Sequence, residues 1–235
     1  MKYAVLLLAL MFVGVATPSM AQKVDTTGPV PQLESVEDID GNRYDIVKIG
    51  SQFWFKSNLK VSKYRNGESI PTGLNNSDWK NTTSGAYAVY NNDTKNESLY
   101  GKLYNHYAVT NSRGLCPTGW HVPTDEEWTT LQNQLGGSRA AGGAIKSKAT
   151  QPTTGGWASP NTGATNSSGF TALPGGLRNF TGDFNNMSNC GYWWSSSVSS
   201  GSSAWDRNLD GNFSNVLRYH RHSRTYGFSV RCLKD

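Results

Sequence analysis

The sequence predicts a single α+β domain, and three observations carry that prediction. Only 36% of the 235 residues are hydrophobic and 17% charged, while Gly occurs 25 times and Asn 21 times. Such a polar, loop-rich balance excludes a coiled coil or helical bundle, which would be dominated by Ala, Glu, Lys and Leu. The chain also carries 8 Trp, 11 Tyr and 8 Phe, far more aromatic surface than a disordered chain holds. Finally, the patterning places a hairpin near the start, one or two helices in the centre and a β-rich C-terminal half, the segregated order of an α+β domain.

The first 21 residues are expected to be an export signal. Lys2 supplies the positive start, and Tyr3 to Val15 form an apolar run too short to span a bilayer. Thr17-Pro18-Ser19-Met20-Ala21 offers small residues for cleavage before Gln22. No Cys follows the run, so a lipid anchor is not expected, and no later stretch is apolar enough for a membrane span. Residues 22–37, with Pro29 and Pro31, are expected to be a linker ahead of a domain over 38–235. β patterning begins at Val36. Asp40-Gly41-Asn42 is a turn, followed by the hairpin strands Arg43 to Ile49 and Gln52 to Phe55 around Gly50-Ser51. The spacing of Asp38, Asp40 and Asn42 hints at a calcium loop, but the Gly is misplaced and a plain turn fits better.

Residues 61–100 have the composition of long loops with short strands such as Tyr87-Ala88-Val89-Tyr90. The aromatic run from Tyr100 to Val109 should pack in the core. The clearest helix starts at Thr124, whose hydroxyl and Glu127 three residues on form a capping box. Trp128, Leu131 and Leu135 give it one apolar stripe, and Gly136 ends it. A weaker helix spans about 139–148. Beyond Trp157 short strands return, and the last, Gly227 to Cys232, alternates with Phe228, Val230 and Cys232 facing inward.

In an oxidising compartment the three cysteines, Cys116, Cys190 and Cys232, allow three single pairings, and spacing does not choose among them. With no C-x-x-C they do not make a zinc site. Removing Lys2 with the signal takes the net charge from +5 to +4. In an exported protein such a basic balance points to anionic glycans or surfaces rather than nucleic acid.

Several runs then match a known family. They are Gly41-Asn42-x-Tyr44, Ile49-Gly50-x-Gln52-x-Trp54, Asn58-Leu59-Lys60, Tyr100-Gly101-Lys102-Leu103-Tyr104-Asn105, the run Leu115 to Thr124, the run Gly169 to Gly176, Gly191-Tyr192-Trp193-Trp194-Ser195-Ser196, and Tyr226 to Cys232. Together these resemble the Fibrobacter succinogenes major paralogous domain, over about residues 38–235. The resemblance implies a C-type-lectin-like fold related to the formylglycine-generating enzyme, and a disulfide joining Cys116 to Cys232. Those relatives oxidise a substrate cysteine through a copper-binding cysteine pair, and with two cysteines bridged Cys190 stands alone. Nor does the sequence hold G-x-S-x-G or H-E-x-x-H. No catalytic residue, metal or cofactor is therefore expected.

The histidines read as structural: His121 and His106 as hydrogen-bonded core residues. His220 and His222, two apart on a strand, would share a face as a metal pair needs, but Arg218, Arg221 and Arg224 oppose a cation. Trp193 and Trp194 are expected in the core. Residues 185–224 combine Asn, Ser, Gly, Tyr, Arg and His with the anchors Trp193, Trp194, Trp205, Leu209, Phe213 and Val216, a composition binding loops favour. The fold is also resembled by the variable proteins of diversity-generating retroelements, in which such a segment is diversified around fixed hydrophobic anchors. The expected ligand surface is Trp205, Asn212, Asn215, Arg218, Tyr219, His220 and Arg221. From Val216 to Cys232 there are four Arg and no acid, so the expected partner is an anionic or acceptor-rich glycan or surface protein. The expected function is a non-catalytic exported binding module, with a structural or assembly role at the cell surface as the alternative and a formylglycine-generating-type oxidase third.

Overall fold

The computed structural model describes residues 35–235. The expected signal and residues 22–34 of the expected linker lie outside the described residues. Strands β1 (Ser35–Glu37), β2 (Arg43–Ile49) and β3 (Gln52–Phe55) form an antiparallel meander, so the last residues of the expected linker, 35–37, are a strand. The turn between β1 and β2 is built on Asp38, whose carboxylate accepts the backbone N–H of Asp40 at 2.9 Å and of Asn42 at 3.0 Å, and the Tyr44 hydroxyl at 2.6 Å. The carboxylate spacing serves a plain turn.

Residues 61–110 hold more helix than their composition suggests. Helix α1 (Asn76–Asn81), strand β4 (Tyr87–Ala88), a 3-10 turn over Tyr90–Asn92, helix α2 (Thr94–Tyr100), strand β5 (Leu103–Asn105) and helix α3 (His106–Val109) follow in order. Asn75, Asp93 and Asn105 cap these short helices by accepting backbone N–H groups. Each is too short to stand without packing. Trp79, Tyr100, His106, Ala108 and Val109 supply that packing.

Strand β6 (Trp120–His121) leads into helix α4 (Asp125–Gln134). Its capping box is complete: Thr124 accepts the Glu127 N–H while Glu127 accepts the Thr124 N–H. Trp128 and Leu131 are buried, with Leu135 packed beside them. Helix α5 (Ser138–Ile145) is shorter than expected, because Lys146 leaves it in an extended conformation and turns inward. Strands β7 (Gly175–Arg178), β8 (Phe184–Met187), β9 (Cys190–Ser200), β10 (Ser203–Asp210), β11 (Leu217–Ser223), β12 (Gly227–Phe228) and β13 (Leu233–Lys234) complete a strand-rich α+β fold.

Two sheets organise it. One runs β1-β2-β3-β13-β6 and the other β11-β10-β9-β7-β12-β5-β4, with β8 attached to β7. The segment 229–232 joins them. Ser229 exchanges backbone hydrogen bonds with Tyr192 and Trp194, while the Val230 and Cys232 carbonyls accept from Leu59 and Phe55. Phe228, Val230 and Cys232 are fully buried as expected, but so are Ser229 and Arg231. The expected single half-buried strand is instead a buried joint between sheets. At this joint Cys232 is bonded to Cys116, the two Cα atoms 6.0 Å apart, while Cys190 is free and buried. One core packs around Tyr44, Phe55, Tyr104, Trp120, Trp194 and Phe228, a second around Trp54, Trp128, Trp157, Phe170 and Trp193. Trp54 and Trp128 lie with ring centroids 4.8 Å apart, tying the N-terminal hairpin to α4.

Candidate functional site

Strand β11 is the edge of the larger sheet, and α4 starts beside it. Arg218 projects from β11 with its guanidinium 3.6 Å from the centre of the Trp205 ring on β10, and the His220 ring lies 4.9 Å from the same ring. A cation over an indole face is attracted by the ring quadrupole. Arg218 is held there by Asp125: Nε donates to Oδ1 and Oδ2 at 3.0 and 3.1 Å, and Nη2 donates to Oδ2 at 2.6 Å. Asp125 Oδ1 also accepts from the buried Arg207 at 2.7 Å. Burial alone would raise the Asp125 carboxyl, but hydrogen bonds from Arg218 and Arg207 outweigh it and hold it below the usual carboxylate range. Arg221, further along the strand, is exposed and reaches the His220 ring.

Arg218 also lines a cleft of about 390 Å³ between α4 and the chain leading into β11, together with Gln132, Asn133, Ser138, Asn215 and Leu217. Two glycines bring that chain close. A Cβ on Gly142 would lie 2.5 Å from the Ser214 and Asn215 carbonyls, and one on Gly143 2.3 Å from the Gly163 carbonyl. Lys146 pins the preceding turn: its ammonium donates to the carbonyls of Thr162, Asp210 and Phe213 at 2.9, 3.2 and 2.8 Å. Burial pushes its pKa down to about 8. A second cleft, about 360 Å³, lies beside Val61, Arg65 and the disulfide and contains none of the expected ligand residues.

The expected residues divide. Trp205, Arg218, His220 and Arg221 form one continuous surface, and Asn215 joins it through the cleft, half-buried rather than exposed. Asn212 is exposed on the adjacent turn, fixed by the Asp210 carboxylate. Tyr219 is exposed but packs against His222 instead, with ring centroids 5.7 Å apart.

The electrostatic expectation needs correction. Of the four arginines after Val216, Arg231 is wholly buried and donates to the Asn58 amide oxygen and to the Phe55, Phe170 and Thr171 carbonyls. Burial pushes its pKa down to about 9, which leaves it cationic at neutral pH. Arg224 is half-buried over the Tyr107 ring, and Arg218 is paired with Asp125. Arg221 alone of the four is exposed and without an acid partner among the described residues, so the surface is far less basic than its sequence.

Other readings change as well. Phe213, expected as an anchor, is 56% exposed, whereas Trp193, Trp194, Leu209 and Val216 are buried. The register of β10 against β11 slips between Ala204 and Asp206, so His220 and His222 do not share a neighbourhood as regular alternation would require. His220 meets Trp205, and His222 meets Asp206. His121 is hydrogen-bonded as expected, but to the Glu127 and Asp235 carboxylates at the surface rather than in the core. His106 is buried, its Nε2 at 3.0 Å from the Ser195 carbonyl, and burial pushes its pKa down to about 4. Burial likewise raises the Cys190 thiol, the reverse of an activated nucleophile. Among the described residues, no three His, Cys, Asp or Glu side chains converge as a metal ion would need. Asp125, Gln132 and Lys146 were invisible as site residues in the sequence, since nothing local links them to β11.

The Fibrobacter succinogenes major domain matches residues 47–234. The chain belongs to that family. Comparison with curated proteins and with solved structures gives no match. The family runs from Ile49 to Trp54, Leu115 to Thr124 and Tyr226 to Cys232 build the cores, the capping box and the disulfide joint. The Trp205 to Arg221 surface lies between those runs, carried on a scaffold that the family motifs build.

Proposed function

We propose that this family member is an exported, non-catalytic binding module of lectin-like kind, presenting the surface from Trp205 to Arg221 to a glycan or protein ligand. The observation supporting this reading is the Arg218–Trp205 stack. Asp125 fixes an exposed guanidinium over an indole at the edge of a cleft, so donors and an aromatic face are oriented before any ligand arrives. Pre-orientation of that kind lowers the entropy lost on binding. Since three of the four arginines are buried or occupied, the reading favours an acceptor-rich ligand over a strongly anionic one. Export is supported by the disulfide, which belongs to oxidising compartments. Among the described residues no helix is long and apolar enough to cross a membrane.

The test is a screen of the purified chain against glycans and cell-surface proteins, with and without chelator. Trp205→Ala and Arg221→Ala should each weaken the captured ligand about tenfold or more, as central interface residues do, without moving the melting temperature appreciably. Undiminished capture in both variants would remove this surface as the ligand site.

A further inference from the structure

Strand β11 carries a second arrangement that the Trp205 surface does not use. Asp206 is wholly buried, and its Oδ1 lies 2.8 Å from His222 Nδ1. Its other oxygen is buried without a hydrogen-bond partner. Burial raises the Asp206 carboxyl, and contact with His222 and Arg207 offsets this only in part. With the Asp206 carboxylate as the acceptor and the ring neutral, Nδ1–H donates to Oδ1 and Nε2 is left as an acceptor. Nε2 has no partner among the described residues, it is not among the enclosed polar atoms, and a quarter of the His222 side chain is open to solvent.

Aromatic rings pack around the His222 imidazole. Tyr226 lies 4.9 Å from the His222 ring centre and Tyr219 5.7 Å, with Phe228 and Tyr192 packed at 5.2 and 6.3 Å. Phe180, from the turn between β7 and β8, extends the row, its ring 5.8 Å from that of Tyr226. Phe180 is 45% exposed and Tyr219 44%, two of the five large hydrophobic side chains exposed among the described residues. Two chain segments, the Phe180 turn and the stretch from Tyr219 to Tyr226, thus bring aromatic rings, Phe180 and Tyr219 exposed, to the neighbourhood of one acceptor.

We propose that His222, Tyr219, Tyr226 and Phe180 form a second subsite that takes a neutral pyranose sugar. The aromatic rings suit the C–H face of a pyranose, and Nε2 accepts one sugar hydroxyl. Asp206 beneath the imidazole disfavours an anion. A cation would find only an already paired, shielded carboxylate. The subsite needs nothing from Trp205 or Arg218, so it stands or fails apart from the function proposed above.

The experiment titrates methyl glycosides of common hexoses and N-acetylhexosamines into the full chain, following the imidazole nitrogens by NMR. The free protein should show His222 as the Nδ1–H tautomer, and at least one glycoside should move the Nε2 resonance saturably in the millimolar range. Phe180→Ala and Tyr219→Ala, both at exposed positions, should weaken that response about tenfold while leaving the tautomer unchanged. Trp205→Ala should not alter it. The proposal is overturned by an absence of any saturable shift, by an equal response in the Phe180 and Tyr219 variants, or by a response lost only in Trp205→Ala.

Discussion

Asp125, in the first turn of α4, accepts a hydrogen bond at 2.7 Å from Arg207, a guanidinium 1% exposed on the neighbouring strand β10. The same carboxylate carries the exposed Arg218. One acid therefore serves a buried ion pair and a surface one, and their energetic weights differ. Asp125→Ala strands a buried cation and should cost about 3–5 kcal/mol. Arg218→Ala removes a solvated pair and should cost less than about 1 kcal/mol. Denaturant unfolding of both variants checks this, and equal costs would mean that Arg207 does not depend on Asp125.

Helix α4 makes a second contrast. Thr124→Ala opens the capping box and should cost about 1 kcal/mol. Trp128→Ala empties a site packed against Trp54 and Phe170 and should cost about 3–5 kcal/mol. Small, matching losses in calorimetry would contradict the packing of this stripe.

Two histidines should shape the pH dependence in opposite senses. Burial opposes protonation of His121, but Asp235 and Glu127 outweigh it and raise its folded pKa above 6.5. Its stabilising contribution is full below about pH 6.5 and is lost as pH rises through the folded value. His106 is lowered from 6.5 to about 4. Stability therefore falls by up to about 3 kcal/mol as pH drops from 6.5 towards 4, where the unfolded chain alone takes the proton. Melting temperatures across pH should show His121→Gln destabilised most on the acid side of neutrality and converging with the parent at alkaline pH. A constant offset would show that the imidazole charge plays no part.

Reduction of Cys116–Cys232 opens a loop whose ends are 116 residues apart. In the chain-entropy picture this costs on the order of 4–5 kcal/mol. Non-reducing mass mapping should join those two cysteines and find Cys190 free and slow to alkylate in the folded state. Rapid alkylation of Cys190 would contradict its burial.

Much of the scaffold was legible because its signals are local. The Gly50-Ser51 turn, the Thr124–Glu127 capping box and the alternation of Phe228, Val230 and Cys232 each depend on neighbours in sequence. The short helices α1 and α2 were not, since Asn75 and Asp93 also read as loop residues and the stabilising burial of Trp79 and Tyr100 is tertiary. The site divides along the same line. Exposure of Arg218 and Arg221 followed from the absence of an apolar period, whereas Asp125 lies 93 residues from Arg218 and no pattern connects them. Arg231 misled for a related reason: a strand residue opposite an apolar face is normally wet, but here a second sheet covers it.

The binding-module reading is tested most directly by amide hydrogen exchange of the chain with and without the ligand recovered from the screen. Protection should be concentrated in residues 203–221 and in the start of α4, where Asp125 fixes Arg218. Protection confined to the cleft beside Val61 and Arg65, or spread evenly over the two sheets, would contradict it.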